Sequence, residues 1–298
     1  MDWLGELKGR YQDRCLPGEP LSRHTTFRLG GPAESLVFPV SQEEWAWLLA
    51  FVRRRGLPLT VLGHGANVIV SDIGLPGITA CTLRMETCSI SGTRVRSEAG
   101  ASLDMVVSKA VDAGLGGMEK MSGIPGTVGG ALWINAGAFG QETYEHLVSY
   151  SALDPEGRLV RRSKAETRFG YRRVEGVEGL VFLSAEWGLS PDDQGRLRQT
   201  REQTLRARAE KQPLEYPSAG SVFKRPPGDF ASRLIDSCGL KGLTVGRAQV
   251  SPKHAGFIVN LGGATAADVM TLIEKVREAV RAKTGVALEL EQIPLGFK

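Results

Sequence analysis

Residues 122–140 read SGIPGTVGGALWINAGAFG, and the reading of this stretch decides the chain. It contains no Lys, Arg, Asp or Glu, and glycine recurs at 123, 126, 129, 130, 137 and 140, with Pro125 between the first two. Glycine accepts positive φ and has no Cβ, so such a stretch can fold into turns that line backbone N–H groups along a concave surface. Those donors suit an anionic group such as a pyrophosphate. A phosphate-transferring P-loop reads G-x-x-x-x-G-K-[ST]; this stretch has no lysine for a terminal phosphate and no acid for a metal. The plain alternative is a tightly packed glycine-rich turn, and the stretch alone leaves both readings open.

The whole chain narrows the choice of class. At 298 residues it exceeds a typical single domain, which predicts two or three compact units. Its 42% hydrophobic and 23% charged content is ordinary for a soluble globular protein. The 37 glycines exceed the usual share of about 7% and are dispersed among apolar runs, so they mark special backbone positions rather than disorder. A net charge of +4 fits a handler of anionic small molecules and gives no clustered basic face for nucleic acid. No apolar run approaches the roughly 20 residues of a membrane span, and the start MDWLGELKGR lacks the order of a signal peptide. A cytoplasmic protein with no membrane or nucleic-acid partner is the expectation, and a monomer is favoured. Cysteines 15, 81, 88 and 238 form no C-x-x-C, so reduced thiols are expected. Histidines 24, 64, 146 and 254 make no zinc spacing, so no metal is expected.

Upstream of the glycine stretch, residues 24–39 read as a strand, a Gly-Gly turn and a second strand. Ser41 starts a helix with Glu44 closing a capping box and Trp45, Leu48, Leu49 and Val52 on one face. Two β-rich runs, 59–62 and 68–70, flank Gly63-His64-Gly65-Ala66-Asn67. This loop begins like a dinucleotide fingerprint, but Val68 replaces the third glycine and a strand follows where a helix is needed. The loop is either a second nucleotide contact or a two-glycine hairpin. Short β-segments fill 78–100, and Ser102 caps a helix bearing Leu103, Val106, Val107 and Ala110 that Gly114 ends.

Downstream, 147–187 reads as antiparallel strands with a turn at Asp154–Gly157. Residues 190–195 read as a polar linker and boundary, followed by a charged helix whose arginines look like a solvated face. Asp229 caps a short helix with Phe230, Leu234 and Ile235. HAGFIVN (254–260) reads as a strand. Thr265 and Asp268 open a long helix with Val269, Leu272, Ile273, Val276 and Val280 on one face, and VALEL (286–290) alternates as a strand.

Few side chains stand out chemically. Ser221 lies in AGSVF, which lacks the second glycine of a nucleophile elbow, so a nucleophile is disfavoured and a hydroxyl donor is possible. Arg172 follows an aromatic in FGYRR, and Glu291 closes the last β-run. Lys211, before Pro213, and Lys224 could hold phosphates as point charges. Each also reads as an ordinary surface group.

Together these segments resemble the UDP-N-acetylenolpyruvoylglucosamine reductases. The resemblance is carried by TTFRLGG (25–31), LGHGANVIV (62–70), GIPGTVGGALWINAGAFG (123–140), FGYR (169–172), AGSVFKRP (219–226), HAGFIVN (254–260) and LELEQIPLG (288–296). It covers nearly the whole chain and matches the shorter subclass, without an inserted tyrosine loop. It implies an α+β flavoenzyme of three domains. Two form an FAD-binding unit of the vanillyl-alcohol-oxidase (PCMH) type, over 1–75 with a C-terminal strand from 286–298, and over 76–190. The third, an α/β substrate-binding domain, spans 198–285.

The resemblance also implies roles. Arg172 and Glu291 match the residues that stabilise an anionic intermediate, and Ser221 matches its proton donor. Lys211 matches a substrate-phosphate contact, joined by Tyr171 and Lys224 as substrate residues. Leu62, Gly63, His64, Gly65, Ala66 and Asn67 match one set of FAD contacts. Gly123, Ile124, Pro125, Gly126, Thr127, Gly129, Gly130, Asn135 and Gly137 match the other. The implied cofactors are noncovalent FAD and NADPH as hydride donor. The implied small-molecule substrate is UDP-N-acetylglucosamine enolpyruvate, reduced to UDP-N-acetylmuramate for peptidoglycan. Two positions depart from the family pattern. Val174 replaces a common serine, and neither Ile293 nor Pro294 supplies the usual basic residue. Glu291 is preferred to Glu289 because it sits just before the closing Ile-Pro-Leu-Gly. The rival readings are another flavin oxidase of this fold, with flavin linked at His64, and a non-catalytic nucleotide binder.

Overall fold

The apolar stripes of the sequence close into three cores, in a chain that divides into two units. The structure, a computed structural model, describes residues 2–297. Met1 and Lys298, the outer ends of the expected first domain, lie outside the described residues. The first unit takes the chain up to Pro17, then Ser35–His64 and Gly77–Arg208; the second takes Gly18–Glu34, Gly65–Pro76 and the chain from Ala209 on.

In the first unit, Ser41 caps the helix Gln42–Arg55 by accepting the Glu44 N–H, and left-handed Gly56 ends it. Trp45, Leu48, Leu49 and Val52 are buried as the 3.6-residue period predicts, and they pack with Leu7, Tyr11, Ile78 and Ala80. The capping box does not form. The Glu44 carboxylate instead takes the Val40 N–H at 2.9 Å and two Arg14 donors at 2.6 and 2.8 Å. A bidentate guanidinium outbids one backbone N–H for a carboxylate. A four-stranded sheet runs in the order Cys15–Pro17, Ala33–Val37, Leu75–Cys81, Leu59–Leu62.

The other core of this unit surrounds the glycine stretch. Ser102 caps the helix Leu103–Asp112, which buries Leu103, Val106, Val107 and Ala110. That face joins a five-stranded antiparallel sheet ordered Leu159–Ser163, Leu147–Leu153, Val181–Gly188, Arg94–Glu98, Cys88–Ser91. Buried Trp187 fixes its ring by donating to the Thr143 carbonyl at 2.9 Å. The linker expected at 190–195 is engaged. Ser190–Pro191 pairs with Leu115–Gly116, the Asp192 N–H bonds the Gly114 carbonyl at 2.9 Å, and the helix Gln194–Lys211 follows directly.

In the second unit the helix Ala266–Thr284 has the Thr265/Asp268 capping box, and the Asp72 carboxylate adds bonds to the Ala266 and Ala267 N–H groups at 2.8 and 3.0 Å. Val269, Leu272, Ile273, Val276 and Val280 are buried against an antiparallel sheet of Thr244–Val245, Ala248–Val250 and Ile258–Asn260.

Three local expectations are corrected here. Residues 24–31 form no strand: the Arg28 N–H bonds the Thr25 carbonyl at 3.1 Å, Thr25 Oγ1 bonds the Leu29 carbonyl at 2.9 Å, and Arg28 has φ +54°. Asp229 does not cap the short helix, which is Ala231–Ser237 with Phe230 as its N-cap; the Asp229 carboxylate pairs with Arg233. Residues 286–290 keep the alternation, with Leu288 buried and Glu289 exposed, but make only a single bridge, Leu290 to Phe223. The regular strand comes later, at Ile293–Leu295, parallel to Val68–Val70.

Candidate active site

The runs 59–62 and 68–70 are strands as expected, but they do not pair with each other, so the hairpin alternative falls. Leu59–Leu62 runs parallel to Leu75–Cys81, and Val68–Val70 runs parallel to Ile293–Leu295. The loop between them is therefore free of ladder bonds. Its carbonyls are held: Gly65 accepts the Thr26 N–H at 3.2 Å, and Asn67 accepts the Ile293 N–H at 2.9 Å. Its N–H groups are not. Among the described residues, none of the five N–H groups from Gly63 to Asn67 has an acceptor. Glycine is required at both ends of this turn. A Cβ at Gly63 would lie 2.2 Å from Thr127 Oγ1, and one at Gly65, where φ is +59°, would lie 2.5 Å from the His24 carbonyl. Successive free N–H groups on a held turn form an anion nest.

The glycine stretch divides between both of its readings. Its packed part uses its own donors: Gly123 N–H bonds Asp104 at 2.7 Å, Val128 N–H bonds the Ala101 carbonyl at 2.9 Å, and Gly129 N–H bonds the Ala99 carbonyl at 2.8 Å. A Cβ at Gly129 would meet the Ala99 Cβ at 3.1 Å, so this glycine serves close packing. Asn135 is fully buried, and its amide is used within the protein. Nδ2 donates to Glu142 at 2.7 Å and to the Gly170 carbonyl at 3.1 Å, and Oδ1 accepts the Tyr144 N–H. The N–H groups of Gly126 and Thr127, at the corner before the helix, have no acceptor among the described residues, as is also true of Phe139 and Gly140 at the turn that closes the stretch. Thr127 caps the helix Val128–Ile134. Asp104 steadies the stretch from outside; its two bonds to Arg201, at 2.6 and 2.9 Å, hold its carboxyl below the usual range.

Arg172 belongs to this same unit. Phe169–Gly170 and Arg173–Val174 pair as a tight hairpin with Tyr171 and Arg172 at its tip. Arg172 Nη2 donates to the Gly137 carbonyl at 3.0 Å, Nη1 reaches the Asn135 carbonyl at 3.5 Å, and the guanidinium lies 5.1 Å from the Tyr171 ring centroid. Asn135, Phe139 and Arg172 are three of the five non-glycine residues with positive φ among the described residues. Backbone strain of this kind concentrates where a site is built. Val174, the departure from the family pattern, is buried and faces the core.

In the second unit the structure brings Ser221 and Glu291 onto neighbouring extended segments. Ser221 bridges Phe257, the Val222 N–H bonds the Gly256 carbonyl at 2.9 Å, and the Glu291 N–H bonds the Val222 carbonyl at 2.8 Å. Asn67 Nδ2 holds the Glu291 carbonyl at 3.1 Å, and Gln292 Nε2 holds the Gly220 carbonyl at 3.1 Å. Ser221 is exposed and Glu291 half-buried, whereas Glu289 is exposed and ion-paired with Lys224. Lys211 is the exposed last residue of its helix. The unit also has an open cleft of about 440 Å³ lined by Phe230, Arg233, Lys241, Lys253 and His254, which the sequence did not suggest. Burial lowers the pKa of His254; Asp236 also lines the cleft, and its cations are ion-paired, Arg233 with Asp229, Lys241 with Asp236 and Lys253 with Glu215.

Sequence reading also passed over Thr26 and Arg208. Thr26 ties the Gly65 loop to Ser218, whose carbonyl accepts its hydroxyl at 2.8 Å. Arg208 was grouped with solvated helix arginines, although Leu197, Thr204 and Arg208, all buried, recur at helical spacing. Among the described residues no group of three His, Cys, Asp or Glu could hold a metal ion, and no helix is long and apolar enough to cross a membrane.

In the first unit, the unpaired N–H groups of Gly63, His64, Gly126 and Thr127, on stretches that carry no lysine, fit the pyrophosphate of a flavin dinucleotide rather than a transferable phosphate. Comparison with known proteins agrees. Residues 33–163 match an FAD binding domain family, and residues 212–293 match the family described as UDP-N-acetylenolpyruvoylglucosamine reductase, C-terminal domain. The reductase of that name from Moorella thermoacetica is 45% identical over 287 residues, covering 96% of this chain and 95% of the relative. The one from Pediococcus pentosaceus is 45% identical over 280 residues, covering 93% of each. The crystal structure of the reductase from Thermus caldophilus superposes with a TM-score of 0.81 at 35% identity, covering 93% of this chain and 97% of that one. The chain belongs to the UDP-N-acetylenolpyruvoylglucosamine reductase family.

Proposed function

We propose that this chain reduces UDP-N-acetylglucosamine enolpyruvate to UDP-N-acetylmuramate, using FAD and NADPH, as a cytoplasmic step toward peptidoglycan. The observation that carries the reading is a similarity that runs through both the FAD-binding and the reductase matches, at 45% identity over 96% of the chain. Bound FAD would supply the hydride relay between NADPH and the enolpyruvyl ether. The N–H groups of Gly63, His64, Gly126 and Thr127 would hold its pyrophosphate. Assignment of three domains, over 1–75 with 286–298, over 76–190 and over 198–285, belongs to this proposal, as does a monomeric state.

The chain's own residues do the rest. Hydride arriving at the terminal carbon leaves negative charge beside the substrate carboxylate. Arg172 offers a planar guanidinium to that charge, with its other donors fixed on the Gly137 and Asn135 carbonyls, so little reorganisation is needed. Ser221 donates a proton to the adjacent carbon. Glu291, whose backbone is pinned by Val222 and Asn67, shares in holding the intermediate's geometry and charge. Glu289 is the weaker choice, because its carboxylate pairs with Lys224 at the surface. Lys211, exposed at the end of its helix, suits a substrate that carries a diphosphate.

The test is NADPH oxidation by flavin-loaded protein, started by adding the enolpyruvyl substrate, with product mass two hydrogens above substrate. Flavin-loaded protein that consumes no NADPH in response to this substrate contradicts the proposal.

A further inference from the structure

Arg208 lies near the end of the helix Gln194–Lys211 and is only 6% exposed. Its Nε donates to the Ser122 carbonyl at 2.7 Å, and its guanidinium carbon lies 5.4 Å from the Phe139 ring centroid. Its Cδ is 2.9 Å from where a Cβ on Gly123 would stand, so the side chain lies against the start of the glycine stretch. Nη2 is buried and has no hydrogen-bond partner. Asp104, whose charge acts on Arg208, holds Arg201 with both oxygens and the Gly123 N–H as well. A buried guanidinium with one carbonyl acceptor and no carboxylate of its own is a costly arrangement, and burial accordingly lowers its pKa. A methionine or leucine would fill the same helical face at lower cost. A guanidinium is worth keeping there if an anion completes its bonds.

We infer that Arg208 is a further cofactor-binding residue, donating through Nη2 to an anionic oxygen of the bound flavin nucleotide. The inference rests on the FAD reading above. The contacts of Arg208 with Ser122, Gly123 and Phe139 lie in the same unit and stretch as the free N–H groups of Gly126 and Thr127. It lies between the matched FAD-binding residues, 33–163, and the matched reductase residues, 212–293. Two oxygens have the required chemistry. The pyrophosphate is anionic in both redox states, whereas the pyrimidine edge of the flavin gains negative charge only on reduction.

The experiment measures FAD and riboflavin binding to the apoprotein, and the midpoint potential of the bound flavin, in wild type and in Arg208→Met. Arg208→Met weakens FAD binding at least tenfold. If the oxygen is on the pyrophosphate, riboflavin affinity stays within twofold and the potential is unchanged. If it is on the pyrimidine edge, riboflavin weakens as well, and each further tenfold loss specific to the reduced form lowers the two-electron potential by about 30 mV. FAD affinity within twofold of wild type at an unchanged potential overturns the inference. So does an equal loss for FAD and riboflavin at an unchanged potential, which marks Arg208 as only a brace for Ser122. Should Arg208→Met not fold, Arg208→Lys is measured in the same way. One ammonium cannot serve both Ser122 and the ligand, so a smaller loss of the same kind is expected, and unchanged affinities overturn the inference. A wild-type apoprotein that binds no FAD is a separate result, against the functional reading itself.

Discussion

The glycine stretch at 122–140 and the paired segments 220–224 and 289–292 handle charge by opposite means. The first has no ionisable side chain and offers backbone N–H groups at Gly126 and Thr127, with glycine packing such as Gly129 on Ala99 keeping the backbone in place. The second offers a hydroxyl at Ser221, carboxylates at Glu289 and Glu291 and an ammonium at Lys224, on extended backbone tied by bonds from Glu291 to Val222 and from Lys224 to Glu289. A backbone donor does not titrate and, proline aside, cannot be deleted by replacing its side chain. It fails only when the backbone is pushed aside. A side-chain donor fails when its chemistry is changed, while the fold survives. The two regions should therefore respond to mutation in different observables.

The largest effect is expected where a side chain displaces backbone donors. Gly65→Val places a branched side chain at φ +59° against the His24 carbonyl, so the nest at 63–67 is lost. FAD affinity should fall at least about 100-fold by fluorescence titration, by analogy with the loss of several charge-assisted bonds. Near-normal flavin binding would remove this loop from the cofactor site. Gly129→Val, by contrast, meets Ala99 rather than ligand space, so it should lower the melting temperature along with flavin content.

Arg172→Lys comes next, with a kcat loss of about 10²-fold, since one ammonium cannot hold two carbonyls and present a planar face to a developing anion. Lysine can adopt the same positive φ, so the hairpin should persist. Turnover near wild type would take Arg172 out of the chemistry. Lys211→Ala should raise the KM for the UDP-sugar about tenfold and leave kcat within about twofold, because a phosphate contact is made in ground and transition states alike. An unchanged KM would leave Lys211 as a solvated helix end.

The smallest effect is on stability. Asp104→Asn loosens Arg201 and the Gly123 N–H together, at a cost of about 1–2 kcal/mol after allowing for partial exposure. The Asp104 pKa is depressed, so its contribution is complete above the unfolded carboxylate value and is lost as pH falls through the lower folded value. The gap between wild type and variant in urea melts should therefore narrow only in acid, below about pH 4. A gap that widens in acid would contradict this account of Asp104.

What the sequence disclosed depended on distance along the chain. Helix faces such as Trp45 to Val52 and Val269 to Val280 were legible because their period is local, and the caps at Ser41, Ser102 and Thr265 lie next to the residues they serve. The turn at 24–31 was not, because Gly31 packs closely against the Asp72 backbone, 41 residues on. The alternation at 286–290 was visible, but its partner at 222–224 was not, so a bridge was read as a strand. The glycine stretch showed its composition and not its division of labour, since Ala99, Ala101 and Asp104, which take three of its donors, are distant along the chain. Arg172, Ser221 and Glu291 were recognisable only through resemblance. Spacing alone gave each the standing of a surface residue. Arg208 was missed because a buried arginine looks in sequence like the solvated arginines around it.

The comparison of backbone cradle and side-chain chemistry is tested most directly by stopped-flow absorbance of Ser221→Ala, observing flavin reduction and reoxidation separately. Ser221 is exposed, its neighbours are held by backbone bonds, and the substitution removes only a hydroxyl, so flavin binding should be intact. The account predicts reduction by NADPH at nearly the wild-type rate. Reoxidation by the enolpyruvyl substrate should be slower by roughly 10²–10⁴-fold, the share of a general acid. Ser221→Cys should recover part of the loss, since a thiol can also donate. If Ser221→Ala slows reduction by NADPH as much as reoxidation, the serine is structural and the division between cradle and proton donor is wrong.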